Sequence, residues 1–480
     1  MKVRYFAVFL LTFIVQSAVA QVDFESTLQN LIAEHDYKNA QIGIHVMDVN
    51  SGKTYYSLNA DKLFIPASTM KVITTATTLE ILGANYRFKT EVAYSGKIKD
   101  NSLTGDLVIV GGGDPALGSE YFKDYYFNPH FLDVWASKVK SAGISVVEGN
   151  LVLDCSVYDT ENIPDTWIWE DIGNYYGAGA NALTVYDNLF RITFQSPKKA
   201  GEKTSVISMY PEIAGIEIKN EVLSSDVNKD LAYVYGSPFD KSRVIRGTIP
   251  KNRNSFTIKA AVQKPEELLA EELLKHLAEN GVFVKGKILF EKANSDKNQT
   301  LYIQESPTLG EIMKVLNHES VNLFAEHFLK QLSVVKTGNG NRKESIEIVK
   351  DFWKDKLTGF DGFFMEDGSG LSHFNAVSPQ IFTSVLEYMY HSSEAFTTFY
   401  QSLPSAGDGT LSGFNASVFS ENELRAKSGS MTRVRCYTGY LKSDSGKELA
   451  FSFIFNQFSG THAKLISEIE DLLAQLKKIE

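Results

Sequence analysis

The chain has 480 residues, 48 of them Lys or Arg and 58 Asp or Glu, which gives a formal net charge of −10. Phosphate binding needs clustered basic side chains, and no long basic run occurs, so the composition argues against nucleic acid as the main partner. The length exceeds what one small core needs and predicts two or three domains, or a large domain with inserts.

The first twenty residues have the layout of a secretory signal peptide. Lys2 and Arg4 precede an apolar run over residues 5–15, and Ala18-Val19-Ala20 matches a small-x-small cleavage pattern. We therefore predict a signal peptide over residues 1–20, cut before Gln21, with an uncleaved N-terminal anchor as the alternative. No later stretch is long and apolar enough to predict a transmembrane segment.

The next elements are a hairpin and a helix. Alternating apolar residues and a turn at Asn50-Ser51-Gly52 predict two strands over residues 41–58, and a helical pattern follows from Pro66 to Leu82. Ser68 and Lys71 lie on one face of that helix, because side chains three residues apart are neighbours there. They are either a helix cap with a surface lysine or a nucleophile with its base, whose free N–H would stabilise an oxyanion.

The region from 86 to 265 differs from the chain ends. Short β-like runs, Gly turns and polar clusters predict an insertion, with two nested subdomains, in a catalytic domain built from residues 21–85 and 266–480. Gly111-Gly112-Gly113 is not a dinucleotide fingerprint, because Ala116 stands where the third Gly belongs. An aromatic cluster of this insert is predicted to pack rather than to contact glycan: Trp167, Trp169, Tyr175 and Tyr176.

Two further polar motifs occur downstream. Ser320-Val321-Asn322 interrupts two apolar helical stripes and presents a hydroxyl and an amide either to a cleft or to solvent. Glu326 and His327 follow, and His327 falls near the second stripe, which favours a core or boundary role. Lys427-Ser428-Gly429 opens a strand, and the N–H of Ser430 is a candidate to complete an oxyanion pair with that of Ser68.

The C-terminal end repeats the N-terminal layout. Strands are predicted over residues 434–441 and 449–455, and an apolar stripe ending at Leu476 predicts a final core helix. Cys155 and Cys436 are too few for a disulfide framework or a cysteine metal site. Two separate buried thiols are favoured, and a single bridge stays open.

In order and placement, the three motifs fit S-x-x-K, S-x-N and K-[ST]-G, the set of penicillin-binding proteins and class A β-lactamases. With its long gap between Lys71 and Ser320, the chain resembles the D-alanyl-D-alanine carboxypeptidase/endopeptidase family, low-molecular-mass penicillin-binding proteins with large inserts. Further segments look like those of this family, in its order: Gly111–Pro115, Tyr175–Ala178, Asp367–Ser372 and Leu403–Leu411.

The resemblance implies a mixed α and β, multidomain fold, in which a β-lactamase/transpeptidase-like domain of antiparallel sheet and flanking helices carries mainly β inserts. It also implies these roles: Ser68 as nucleophile, Lys71 as base, Ser320 as proton relay, Asn322 on the substrate amide, Lys427 for positive charge, Ser428 on the terminal carboxylate, and the N–H groups of Ser68 and Ser430, beside Gly429, as oxyanion hole. No metal or organic cofactor is implied.

Two positions depart from the family pattern. Ser428 stands where the family mostly has Thr, and His373 stands where an Arg is expected, which puts the preference for an acidic peptide side chain in doubt. Asp367 and Asp408 each precede a Gly, and turn formation explains both.

The predicted function is a periplasmic serine DD-peptidase that acts on peptidoglycan stem peptides and binds β-lactams covalently. The alternatives are a β-lactamase or esterase on the same scaffold, and a peptidoglycan-binding protein with a decayed site. The sequence leaves the oligomeric state open, with a homo-oligomer as one option.

Overall fold

A computed structural model describes residues 24–357, 359–360, 362–420 and 422–480. The predicted signal peptide lies outside the described residues. Among the helices of these ranges, none combines the length and the apolar character that a membrane crossing needs. The described residues form two compact units, one of residues 24–84, 313–321 and 346–480 and the other of residues 85–312 and 322–345.

The described helices are α1 (residues 24–33), α2 (Met70–Leu82), α3 (Lys123–Tyr126), α4 (Phe131–Ser141), α5 (Trp169–Ile172), α6 (Pro265–Glu279), α7 (Leu309–Glu319), α8 (Asn322–Thr337), α9 (Arg342–Trp353), α10 (Pro379–Ser392), α11 (Phe396–Ser402) and α12 (His462–Leu476). The strands are β1 (Gln41–Asp48), β2 (Thr54–Leu58), β3 (Lys89–Ser95), β4 (Ile98–Lys99), β5 (Ser102–Leu103), β6 (Leu107–Val110), β7 (Val146–Val147), β8 (Leu151–Asp154), β9 (Leu189–Ser196), β10 (Ser205–Tyr210), β11 (Glu217–Asn220), β12 (Leu223–Ser225), β13 (Leu231–Tyr235), β14 (Ser242–Pro250), β15 (Arg253–Ala261), β16 (Phe283–Val284), β17 (Ile288–Phe290), β18 (Asn298–Glu305), β19 (Leu424–Met431), β20 (Val434–Lys442) and β21 (Glu448–Asn456).

The first unit is built on a five-stranded antiparallel sheet in the order β19-β20-β21-β1-β2. The two ends of the chain meet in it, because β1 pairs with β21 along its whole length. The predicted N-terminal hairpin, the strands before the C-terminus and the final helix are all confirmed.

The sequence of β1 shows why helices cover both faces of this sheet. Ile42, Ile44 and Val46 alternate along the strand and point into a core shared with α1 and α12. On the opposite face His45 Nδ1 lies 2.6 Å from Thr383 Oγ1 of α10. A methyl group added to Gly43 would lie 2.8 Å from Pro379 Cγ, so the absence of a side chain lets α10 approach.

The second unit contains four smaller sheets. Their orders are β17-β8-β6-β3-β18, β16-β7-β5-β4, β10-β9-β15, and β11-β14-β12 with β13 also paired to β14. Residues 266–312 and 322–345, predicted for the catalytic domain, fall in this unit. The reason is strand pairing: β16, β17 and β18 pair with β7, β8 and β3 of the predicted insert.

Both cysteines are free thiols. Cys436 is buried in β20, whereas Cys155 is half-buried rather than buried. Burial raises the pKa of both thiols, which therefore stay protonated and unreactive.

Candidate active site

Ser68 lies in a 3-10 turn, Ala67–Thr69, that leads directly into α2. Neither residue at the cap positions, Pro66 or Thr69, makes a side-chain cap hydrogen bond, and Ser68 Oγ instead accepts a hydrogen bond from Lys71 Nζ at 2.9 Å. Ala67 has a φ of 45°, a left-handed conformation that is uncommon for a residue with a side chain. Such local strain is typical of functional turns, and the geometry favours the serine–lysine pair over the helix cap.

Lys71 is fully buried and held from two sides. Its Nζ also donates to the backbone oxygen of Ser369 at 2.7 Å. That oxygen is fixed by Asp367, whose carboxylate accepts hydrogen bonds from the N–H groups of Gly370 (2.8 Å) and Ser372 (2.6 Å). Asp367 therefore builds a turn, as predicted, and that turn supplies a partner for the lysine that sequence reasoning missed.

Ser320 and Lys427 form a second serine–lysine contact in the same unit. Ser320 follows the end of α7 with a φ of 57°, again the left-handed region. Lys427 Nζ donates to Ser320 Oγ at 2.9 Å and to the backbone oxygen of Ser428 at 2.8 Å. The break in the helical pattern thus brings the hydroxyl of the second motif to the lysine of the third.

Positive charge accumulates around this contact. Burial lowers the pKa of Lys427 well below its usual value, and repulsion from Lys71 and Arg435 lowers it further. Arg435 was not predicted. It pairs with Ser430 across the hairpin of β19 and β20, whose connection, Thr432-Arg433, carries no Asn-Gly or similar turn signal that would have fixed the register.

The third motif lies on β19, an edge strand of the sheet. The N–H of Ala426 points away from β20, because it donates to Pro404 O at 3.1 Å. Backbone groups alternate in direction along a strand, so the N–H groups of Ser428 and Ser430 point to the same open edge. A donor at Ser430 is therefore directed away from the sheet.

Gly429 lets this strand approach the start of α2. A methyl group there would lie 2.7 Å from Pro66 O, closer than a side chain tolerates, and would make a tight contact of 3.1 Å with Ser68 N. The requirement for glycine is thus steric, and it brings the backbone of the third motif against the turn that carries Ser68.

Asn322 begins α8 and belongs to the second unit. Its Nδ2 donates to Tyr176 O at 2.8 Å, so this amide is tied to one of the segments that resemble the family. Its role towards a substrate stays a prediction.

The remaining predicted residues divide between core and surface. His327 is fully buried, with Nδ1 2.9 Å from Gly113 O and Nε2 2.9 Å from Thr184 Oγ1, and burial lowers its pKa to about 3, which agrees with a core role. The packing interpretation agrees with the burial of Trp167 and holds in part for Trp169 and Tyr175, which are 61% and 56% exposed but contact the rings of Tyr235 and Tyr176.

His373 and Asp408 lie in exposed positions of the first unit. His373 lies on the surface of the loop that follows Asp367, and Asp408 Oδ2 lies 3.0 Å from His318 Nδ1. The side-chain preference that His373 would set stays a prediction.

A model of the D-Ala-D-Ala carboxypeptidase 3 (S13) family matches residues 24–478. A D-alanyl-D-alanine carboxypeptidase of Actinomadura sp. is 28% identical over 458 residues, which are 92% of this chain and 83% of that protein. The D-alanyl-D-alanine carboxypeptidase DacB of Haemophilus influenzae is 25% identical over 433 residues, 88% of this chain and 86% of that protein.

The fold also has a solved counterpart. The crystal structure of penicillin binding protein 4 (dacB) from Haemophilus influenzae superposes with a TM-score of 0.79 at 23% identity and covers 95% of this chain and 99% of that one. The same protein has been solved in complex with a β-lactam. This likeness confirms the predicted multidomain fold class, and the match at this identity concerns the fold alone.

Proposed function

The chain belongs to the D-Ala-D-Ala carboxypeptidase 3 (S13) family of serine-type carboxypeptidases, and we propose that it works through an acyl-enzyme on Ser68. The substrate would be the D-alanyl-D-alanine end, or a meso-diaminopimelate–D-alanine cross-link, of a peptidoglycan stem peptide. The observation that carries the proposal is the hydrogen bond of 2.9 Å between Lys71 Nζ and Ser68 Oγ.

The first step needs a proton acceptor for the serine hydroxyl. With Lys71 uncharged, its contact with Ser68 runs from Oγ–H to Nζ, and the proton moves to Nζ as Oγ attacks the peptide carbonyl. Burial is the main cause of the lowered pKa of Lys427, and repulsion from Lys71 and Arg435 lowers it further; loss of one proton from the two lysines relieves part of that repulsion. This crowding of cations supports Lys71 as the general base.

The carbonyl oxygen becomes an oxyanion when the Oγ–C bond forms. The N–H groups of Ser68 and Ser430 are the proposed donors, supported by the open-edge direction at Ser430 and the close approach at Gly429. The C–N bond then breaks, and the leaving amine takes a proton relayed from Lys71 through Ser320. Water hydrolyses the ester and restores the Ser68 hydroxyl.

Substrate binding would depend on the positive charge of Lys427 and on the side-chain amide of Asn322. The hydroxyl of Ser428 would bind the terminal carboxylate, Lys427 would keep the site positively charged, and Asn322 would hold the peptide amide. A β-lactam carries the same carboxylate beside a strained amide, so it would acylate Ser68 as a substrate mimic. The proposal implies an enzyme exported to the periplasm by the predicted signal segment.

The test is labelling with a fluorescent penicillin. Wild type should take the label, Ser68→Ala should lose it with the circular dichroism spectrum retained, and Ser57→Ala, an exposed serine of β2, should label like wild type. Equal labelling of Ser68→Ala and wild type would refute Ser68 as the nucleophile. Slow release of the label favours a peptidase, whereas rapid release would favour a β-lactamase.

Reaction type needs a separate measurement. Mass spectrometry of digested peptidoglycan should show stem peptides shortened by one D-alanine, cross-linked dimers converted to monomers, or both. Binding of muropeptides with neither change would mean that the protein is a scaffold rather than an enzyme.

A further inference from the structure

Two packed helices of the second unit bring two imidazoles and a carboxylate together. His130 precedes α4 and Asp133 lies in its first turn, while His276 lies in the last turn of α6. One nitrogen of each ring and one carboxylate oxygen lie within 4.8 Å of one another. We propose that these three side chains bind a divalent cation of the zinc type, which joins the start of α4 to the end of α6.

The donor set fits such an ion. Zinc is bound by histidine nitrogens and carboxylate oxygens, mostly in tetrahedral sites, and two imidazoles distinguish it from calcium or magnesium, which take oxygen ligands. The fourth position would be filled by water. Glu272 lies one turn before His276 on α6 and acts electrostatically on His130, but its charge is paired with Lys275 at 2.7 Å.

The closest contact of the cluster already resembles part of a coordination sphere. His276 Nδ1 lies 2.7 Å from Asp133 Oδ1, and Asn280 Nδ2 approaches the same oxygen at 3.4 Å. Ligand atoms of one tetrahedral zinc ion lie roughly 3–3.5 Å apart, since each bond is about 2.0–2.1 Å long. A cation can therefore replace the proton between His276 and Asp133 after shifts of well under an ångström.

The second imidazole needs a larger adjustment. The rings of His130 and His276 are stacked with centroids 4.4 Å apart and planes 14° apart, so one ring must turn before both face one ion. His130 is the ring that turns in this proposal, because its Nδ1 accepts a hydrogen bond from Leu132 N at 3.2 Å, whereas His276 Nδ1 lies 2.7 Å from Asp133. The turn would also alter the ring contacts of His130 with Phe127 and Phe131, whose centroids both lie 5.1 Å away.

Two other histidine–carboxylate contacts contain only two potential metal ligands each, whereas this cluster contains three. His35 lies 3.6 Å from Asp36 and His318 lies 3.0 Å from Asp408, both in the first unit. Within the described ranges, the cluster on α4 and α6 is the one place where at least three potential metal ligands of His, Cys, Asp and Glu type meet. The pair at His35 therefore serves as a matched control.

The test is titration of the untagged, metal-stripped full chain with Zn²⁺ by calorimetry at pH 7.5. Wild type should bind one ion per chain and gain thermal stability, and His35→Gln should behave identically. His276→Gln and His130→Gln should each weaken binding by at least about tenfold and abolish the thermal gain. Asp133→Asn provides a third variant if either histidine variant fails to fold.

Two outcomes would overturn the proposal. One is a wild type that takes up no zinc, and the other is zinc binding that survives in His276→Gln and His130→Gln as in wild type. If zinc binding is lost in His35→Gln but kept in His276→Gln and His130→Gln, the ion binds at His35, and the proposal is equally overturned. Because the readout is metal binding, it is independent of penicillin labelling at Ser68.

Discussion

The two units of the molecule surround their buried lysines differently. In the second unit, Lys330 is 2% exposed and lies 2.8 Å from Asp159, so its charge is paired. In the first unit, Lys427 is fully buried and donates to Ser320 Oγ and Ser428 O, which are neutral oxygens, while Lys71 adds a second positive charge.

This difference distinguishes a lysine that stabilises the fold from one that takes part in the proposed reaction. A buried pair of opposite charges is compensated, and removing one member leaves the other uncompensated. Buried cations that repel one another gain nothing for the fold, but they attract an anionic substrate and favour loss of a proton. We therefore expect lysine substitutions to alter reaction rate in the first unit and stability in the second.

The largest expected effect is loss of rate in Lys71→Met. Removal of a general base typically lowers a rate by about 10²–10⁴-fold, so acylation of Ser68 by penicillin should slow by that factor. Methionine fills a similar volume without a charge, so the midpoint of urea unfolding should change little. Stopped-flow acylation and urea unfolding measure the two quantities.

The matched control is Lys62→Met, a lysine of the same unit whose side chain is 66% exposed. It should acylate and unfold like wild type. If Lys71→Met acylates at the wild-type rate, then Lys71 is not the base and the comparison between the two units fails.

The comparison also shows what the sequence can predict. Ser68, Ser320 and Lys427 lie far apart in the chain. Each of their motifs alone is weak evidence for catalysis, and only the three motifs together predict a catalytic site. Helix spacing is enough to place Lys71 beside Ser68, because it is a local property. Strand alternation similarly predicts the hairpins and the core face of the central sheet.

Other features depend on contacts that no local pattern encodes. The carbonyl of Ser369 reaches Lys71 only through the tertiary fold. Arg435 meets Ser430 through a hairpin whose connection has no strong turn signal. The predicted boundary at residue 265 also differs from the observed division, because β16 to β18 return to pair with strands that precede them by more than a hundred residues.

A second effect on rate is expected from Gly429→Ala. The added methyl group would lie 2.7 Å from Pro66 O and must push β19 away from the turn of Ser68. Loss of one oxyanion donor typically lowers a rate by about 10²–10³-fold, so we expect acylation to slow about 10²-fold. Gly413→Ala, whose methyl group would meet Ile466 at an ordinary 3.4 Å, should keep the wild-type rate. Equal rates in both variants would exclude the steric role of Gly429.

The opposite behaviour is expected of Lys330→Met in the second unit. It leaves Asp159 without its cation, and breaking a buried ion pair typically costs 3–5 kcal/mol. Because the Asp159 side chain is 20% exposed, we expect a smaller loss of about 2–3 kcal/mol in the free energy of unfolding. The acylation rate of folded protein should stay within about twofold of wild type. A large loss of acylation rate without loss of stability would mean that Lys330 also takes part in the reaction, which contradicts the comparison.

The smallest expected effect is a pH dependence of stability from Asp114 of the second unit. Burial raises the pKa of this carboxyl to about 7, so the folded protein holds it protonated where the unfolded chain ionises it near pH 4. Stability from this group is therefore complete below about pH 4 and is lost as the pH rises towards 7. Asp114→Asn cannot ionise, so its free energy of unfolding relative to wild type should rise by about 1–2 kcal/mol between pH 5 and pH 6.5. Urea unfolding at the two pH values measures this, and an unchanged difference would mean that Asp114 is already ionised in the folded protein.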